Sequence, residues 1–477
     1  MRSLRKTKIV ATIGPASDSV ETLKEMIQAG MNVARINLSF GSGPDQVARV
    51  ERVRAVAKEL GTYVAVMADT KGIEIRTGAV ADGSVELSTN DEFALFSDAR
   101  EGGAEGVSVS YSGLYKEVMP GIPILLDDGA IELMVTRVDE STIHTRVIHG
   151  GLLRANKGVN LPDTQLSLSA VSPENREEVK VEMEFAAKNN IEYVAASFIQ
   201  SADDIFKMKE IMLEYDALIP IIAKIENKAG VENLAEIVDA ADGVMVARGD
   251  LGVELPLADV PSVQKKIIGT TVTNGKPVIT ATQMLASMET NPRPTRAEAS
   301  DVANAILDGT SAVMLSGETA MGKYPVQAVR MMATLAIRAE ASLKEYGYLQ
   351  KIKPNPSNKI TEAVSQASLS MARHLNAAAI FCLTDTGFTS RQISKYRPEC
   401  PIIAVTMAEK VVRKLSMNWG VLPILYTGEV TDEAKIEFGI EKARELGYIK
   451  SGDVVVITAG HFQVAGGTDY IRVITLD

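Results

Sequence analysis

Cysteine is nearly absent from this chain, with only Cys382 and Cys400 among 477 residues. Two thiols cannot build a disulfide framework, and they suit a reducing cytoplasm. Histidine is scarce too: His144 and His149 fall in one region, His374 and His461 in another. Neither pair has a metal-ligand spacing, so a zinc site and a Ser-His-Asp arrangement both lack support. No apolar run approaches the length of a membrane span. The basic start, Arg2-Ser-Leu-Arg-Lys, leads through a short apolar run into Thr12-Ile-Gly-Pro, which reads as a first strand rather than a signal peptide. Blocks of like charge are missing as well. Fifty basic against 61 acidic residues leave a net charge of −11 with no basic stripe. That excludes nucleic acid as the main partner but leaves room for a local basic pocket that takes a small phosphate ester.

What remains is ordinary globular material, 46% apolar and 23% charged, long enough for about three domains. Short Val/Ile-rich runs alternate with helical periods. Strands are expected near Lys8–Gly14, Asn32–Leu38 and Tyr63–Asp69, with helices near Val20–Ala29 and Asp45–Leu60. From Gly72 to about Ser167 the pattern turns to short β segments with Asp-Gly turns, the mark of an inserted β domain. Alternation resumes with a helix over Pro173–Asn189. Strands follow near Glu192–Ser197, Pro220–Ile225, Gly243–Ala247, Pro277–Thr282 and Ala312–Leu315. Near-continuous apolar strands are buried on both faces, as in parallel sheets. About eight such units predict an α/β fold, a (β/α)8 TIM barrel with a β-barrel-like domain inserted after its third strand. An open doubly wound sheet is the alternative, but no Gly-x-Gly-x-x-Gly opens the first helix. After a linker at Lys351–Asn358, strands near Ala378–Leu383, Ile402–Thr406, Leu422–Tyr426, Asp453–Thr458 and Tyr470–Thr475 form a C-terminal α/β domain. The expected limits are 1–71 with 169–345 for the barrel, 72–168 for the insertion and 346–477 for the C-terminal domain.

Barrel chemistry collects where strands end. The second strand ends in Arg35-Ile-Asn37-Leu-Ser39 and the third in Asp69-Thr70-Lys71-Gly72. The fifth ends in Lys224-Ile-Glu226, the sixth in Arg248-Gly249-Asp250, the seventh in Thr280-Ala-Thr282-Gln283, and the eighth in Ser316-Gly317-Glu318. The side-chain period of two puts Lys224 and Glu226 on one face. The bland reading of this pair alone is a strand-end ion pair. With Asp250, however, two carboxylates suffice for a hard divalent cation such as Mg²⁺. A lysine beside that metal suits negative charge building on a phosphoryl group or an enolate. Polar groups at six strand ends favour the functional reading, because burying them idly would be costly.

Several stretches then resemble the pyruvate kinase family in order along nearly the whole chain. They include Ala-Lys-Ile-Glu-Asn, Met-Val-Ala-Arg-Gly-Asp-Leu-Gly-Val-Glu, Ile-Thr-Ala-Thr-Gln-Met-Leu, Asn-Pro-Arg-Pro-Thr-Arg-Ala-Glu and Met-Leu-Ser-Gly-Glu-Thr-Ala. The resemblance implies transfer of a phosphoryl group from phosphoenolpyruvate to ADP, giving pyruvate and ATP. It further implies that Glu226 and Asp250 hold Mg²⁺ (or Mn²⁺), and that Arg35 and Lys224 meet the phosphoryl group. The substrate carboxylate would rest on the N–H groups of Gly249 and Asp250. Thr282 would lie near the protonation step, with water carrying the proton. Arg76 and Lys157 are implied at the nucleotide, and Asn37, Ser39, Asp69 and the Thr70 carbonyl at K⁺. Glu74 implies a K⁺-dependent member. The family is usually a homotetramer.

The chain departs from the pattern at Phe40, where a histidine is usual, and at Ile73, where proline is usual; both bear on the nucleotide. In the C-terminal domain Thr384, Thr386, Gly387, Thr389 and Ser390 match a loop that grips a phosphorylated effector. Asp385 and Phe388 stand where basic residues help hold fructose 1,6-bisphosphate, and His461–Thr468 has no Lys or Arg. This favours a monophosphate effector, or a purely structural loop. Two rivals stand beside the kinase reading. One is a metal-dependent lyase or aldolase on the same architecture, which needs neither the lid nor Arg35 and Lys157. The other is a non-catalytic homologue, which should have lost some of Arg35, Lys224, Glu226, Asp250 and Thr282; all are present.

Overall fold

The structure, a computed structural model, describes residues 5–41, 43–162, 164, 166–347, 359–460 and 467–477. The linker expected at Lys351–Asn358 and most of the loop at His461–Thr468 lie outside the described residues. Eight strands close into an all-parallel barrel: Lys8–Thr12, Val33–Asn37, Ala65–Asp69, Tyr193–Ala196, Ile221–Ile225, Gly243–Ala247, Val278–Ala281 and Ala312–Leu315. Successive residues alternate between two apolar layers, as the pleat dictates. Val10, Met67, Ile222, Met245, Ile279 and Met314 fill the barrel interior. Their neighbours, among them Ile9, Val66, Ala223, Val246 and Val313, pack outward on the helices. Met417, from the C-terminal third of the chain, joins the interior set and is fully buried.

Between the third and fourth barrel strands the chain leaves to build a six-stranded sheet and a two-stranded sheet around a core of its own, including Phe93, Leu95, Ile124 and Leu133. After the barrel a five-stranded sheet follows, in the order Val421–Leu425, Ile402–Thr406, Ala379–Leu383, Val454–Ala459 and Tyr470–Thr475, with only the last strand antiparallel. It lies against the barrel floor. Lys8 Nζ donates to the Val421 carbonyl at 2.8 Å, and the Tyr193 hydroxyl to the Lys414 carbonyl at 2.8 Å.

The exit toward the insertion is a tight turn. Gly72 has φ +69°, and a Cβ there would meet Ser197 and the Phe198 ring at 2.6 Å. Only glycine combines that backbone with that approach. The preceding Lys71 N–H is held by Glu182 Oε1 at 2.8 Å, from the helix Arg176–Lys188.

Candidate active site

At the C-terminal ends of the first to fifth strands the polar side chains form one connected chain. Arg35 Nη1 donates to Thr12 Oγ1 at 3.0 Å, and its Nε to Asp69 Oδ2 at 2.6 Å. The other Asp69 oxygen accepts from Lys224 Nζ at 3.1 Å. Lys224 also reaches Glu226 Oε1 at 2.9 Å and donates to Ser197 Oγ at 2.6 Å. Glu226 Oε2 takes the Phe198 N–H at 2.6 Å, made available by a left-handed Phe198 (φ 54°). The same-face expectation for Lys224 and Glu226 therefore holds as a direct contact.

Burial acts against charge on Asp69, Lys224, Glu226 and Asp250, and the balance with their partners decides each outcome. Burial tends to raise the Asp69 pKa, but Arg35 and Lys224 outweigh it and hold the carboxyl below its ordinary value. Burial tends to lower Lys224, but Asp69 and Glu226 hold it above the usual lysine range. Glu226 and Asp250 behave differently. Burial pushes both carboxyls up despite Lys224, and the Asp250 charge pushes Glu226 further. Two buried carboxyls, both raised by burial and one raised further by the other, form a donor set that a hard cation satisfies. Among the described residues no group of three or more His, Cys, Asp or Glu could hold a metal ion. Two protein carboxylates with the rest of the shell left to water and substrate is a Mg²⁺-like arrangement.

Asn37 faces Asp69 across the neighbouring strand, and its Oδ1 accepts the N–H of the exposed Ser39 at 3.0 Å. The Thr70 carbonyl accepts from Ser197 Oγ at 2.8 Å. The expected oxygen set for a monovalent cation thus borders the Arg35–Asp69 pair. On the opposite side Thr282 (φ 65°) and Gln283 (φ 53°) end the seventh strand in consecutive left-handed conformations. Thr282 Oγ1 accepts the Gly249 N–H at 2.7 Å, so that N–H is already used. Arg248 braces the corner, donating to the Thr282 carbonyl at 2.7 Å and to Asp301 at 2.6 Å.

A cavity of about 590 Å³ opens between the barrel mouth and the insertion. Asp250 lines it from the barrel and Arg76 and Lys157 from the insertion, while Arg35, Lys224 and Thr282 lie outside its lining. Lys157 pairs with Asp127 at 2.8 Å, and Arg76 with Glu74 and the Asn156 carbonyl. Ile73 lines the cavity; Phe40 does not, and the residue is 70% exposed. The C-terminal loop is separate, and its hydroxyls are engaged internally. Thr384 Oγ1 accepts the Gly387 N–H, Ser390 Oγ donates to the Gly387 carbonyl, and Thr389 bonds Thr468.

Some mouth residues turn out to be scaffolding. Thr280 bonds Thr310 inside the barrel wall, and Glu318 ties down the N–H groups of Leu285 and Ser316. Sequence reasoning passed over Ser197 and Thr12, which end the two strands from which it took no site residue. Their position after an apolar run was the only available signal.

A closed barrel whose mouth joins two cations to buried carboxylates, under a separately folded insertion, defines a metal-assisted barrel enzyme for an anionic substrate. Residues 4–329 match the family model described as pyruvate kinase, barrel domain, and residues 362–474 the one described as pyruvate kinase, alpha/beta domain. The pyruvate kinase of Bacillus licheniformis is 44% identical over 473 residues, covering 98% of this chain and 80% of the relative. That of Geobacillus stearothermophilus is 47% identical over 463 residues, covering 96% and 78%. That of Staphylococcus aureus (strain USA300) is 45% identical over 459 residues, also covering 96% and 78%. The chain belongs to the pyruvate kinase family. It is a phosphotransferase of a metal-dependent family, moving the phosphoryl group of phosphoenolpyruvate to ADP. No helix among the described residues is long and apolar enough to cross a membrane.

Proposed function

We propose that Arg35 and Lys224 orient the phosphoryl group and offset its charge during transfer, in the manner expected of a phosphoryl site. The observation that carries this is the unbroken chain Arg35–Asp69–Lys224–Glu226. It fixes both cations without free rotation, so little reorganisation is required at the moment of reaction. Glu226 and Asp250 would hold Mg²⁺ (or Mn²⁺), and Asn37, Ser39, Asp69 and Thr70 would hold K⁺. Bound there, the divalent ion supplies Lewis-acid polarisation of the substrate oxygens. The substrate carboxylate takes the N–H groups of Gly249 and Asp250. In doing so it displaces the Thr282 hydroxyl from Gly249 and returns it to the site beside the carbon that is protonated. A threonine hydroxyl is too weak an acid to act alone, so water carries the proton past it. Arg76 and Lys157, on the insertion side of the cavity, contact the nucleotide phosphates. At the Thr384–Ser390 loop a monophosphate effector would have to replace bonds made within the loop. The domain limits of the sequence reading, a cytoplasmic location and a homotetramer complete the proposal.

The test is pyruvate formation from phosphoenolpyruvate and ADP with Mg²⁺, with and without K⁺. Activity only with K⁺ is expected, as Glu74 implies. Full activity without K⁺ would overturn the monovalent-cation assignment while keeping the transfer reaction. Inactivity in both buffers would overturn the residue roles together.

A further inference from the structure

At the end of the barrel remote from the site, a small cavity lies between the barrel floor and the C-terminal sheet. Lys276 and Ser311, just before the seventh and eighth strands, line it from one side. Arg391, Lys395, Arg397 and Asn418 line it from the other. Its volume of about 10 Å³ admits one species near the size of a water molecule.

One of the four cations has a carboxylate partner. Lys395 pairs with Glu362 at 2.7 Å, and Lys276 donates to the carbonyls of Val238 and Asp239 at 2.6 and 2.8 Å. Like Lys276, neither arginine forms an ion pair with a carboxylate among the described residues. Arg391 donates to the Thr386 carbonyl at 3.2 Å and lies over the Phe388 ring. Arg397 donates through its Nη atoms to the carbonyls of Ser394 and Gly309, and it lies over the Trp419 ring at 4.7 Å. Its buried Nε–H has no partner. Asn418 is 3% exposed, and neither its Oδ1 nor its Nδ2 is bonded. Burial lowers Arg397 to about 9 and Arg391 below its ordinary value, a sign of uncompensated positive charge. Buried charge without a partner is strongly unfavourable, and so is an unsatisfied buried amide.

We propose that this cavity binds a small monovalent anion of the halide class, held by the Arg397 Nε–H and the Asn418 Nδ2–H in the field of Arg391. That volume matches a single small ion better than a phosphate or carboxylate ester, which sets the site apart in ligand class from the catalytic mouth. The anion offsets one unit of the guanidinium charge and fastens the C-terminal unit to the barrel floor.

The experiment compares thermal unfolding of the full chain in sodium bromide and in sodium gluconate at equal ionic strength. Crystals grown with bromide are then examined for its anomalous signal. An upward shift of roughly 2–4 °C in bromide, with an anomalous peak in the cavity, is expected. Asn418→Asp supplies the negative charge covalently, so it should lose both the bromide shift and the peak while turnover is kept. If that variant does not fold, Asn418→Leu, which fills the cavity, serves in its place with the same expectation. No shift and no peak in the parent would mean that water occupies the cavity, overturning the proposal. A shift retained in either variant would trace the effect to surface charge and overturn it equally.

Discussion

Lys224 stands between Asp69 and Glu226, both almost wholly buried, and this makes its replacement informative. Lys224→Met leaves two carboxylates facing each other without their cation. Turnover should fall about 10³-fold or more, and stability by about 3–5 kcal/mol, the usual cost of breaking a buried pair from one side. Steady-state kinetics and urea unfolding read the two effects separately; an unchanged kcat would remove Lys224 from the mechanism. The pair was legible in the sequence because a period of two forces residues 224 and 226 onto one face. Ser197 and Thr12 were not. A single hydroxyl at the end of an apolar run carries no signature until its partner is known, and their partners lie 27 and 23 residues away. The resemblance implied the Gly249 N–H as a rest for the substrate carboxylate; its bond to Thr282 depends on two left-handed residues that no local pattern announces.

Elements rather than single side chains control the turn out of the barrel. The helix Arg176–Lys188 presses Glu182 against the Lys71 N–H, and burial raises that carboxyl to about 7. A carboxyl raised in the folded state binds more protons there than in the unfolded chain. Its contribution is fully present below the unfolded value near 4.5 and is lost as pH rises through about 7, worth roughly 3 kcal/mol at most. Glu182→Gln keeps an acceptor for Lys71 and removes this titration. The variant should gain stability over the parent between pH 5.5 and 8 in urea unfolding. A difference that does not change with pH would refute the assignment. The helix itself was expected from Pro173 but starts at Arg176. The reason is local: Asn175 Oδ1 accepts from both the N–H and the hydroxyl of Ser172, stabilising a turn where the first helical turn was expected. The barrel strands were easy to read because both faces are apolar. The short strands of the insertion were harder to place singly, since their pairing is set by contacts across the sheet.

For the whole molecule, the interface between barrel and C-terminal unit combines buried polar contacts with an apolar one. Arg413 reaches from the C-terminal unit to Glu192 at 2.6 Å, and that carboxylate is fully buried and also holds the Val66 N–H. Arg54 is a second, longer partner at 3.4 Å. Arg413→Met should therefore lower stability by about 3 kcal/mol, near the smaller end for a broken buried pair. A urea midpoint equal to the parent's would show that the pair contributes nothing. This contact was invisible in the sequence, since 221 residues separate the partners. At the same interface Met417 joins the apolar cluster of the barrel interior, whose members include Val10, Met67 and Met314. The barrel therefore borrows its floor. Anyone transplanting the catalytic barrel as a module, or trimming the chain to it for design, would leave a hole lined by apolar side chains. The C-terminal sheet cannot be discarded as an accessory without replacing that stopper.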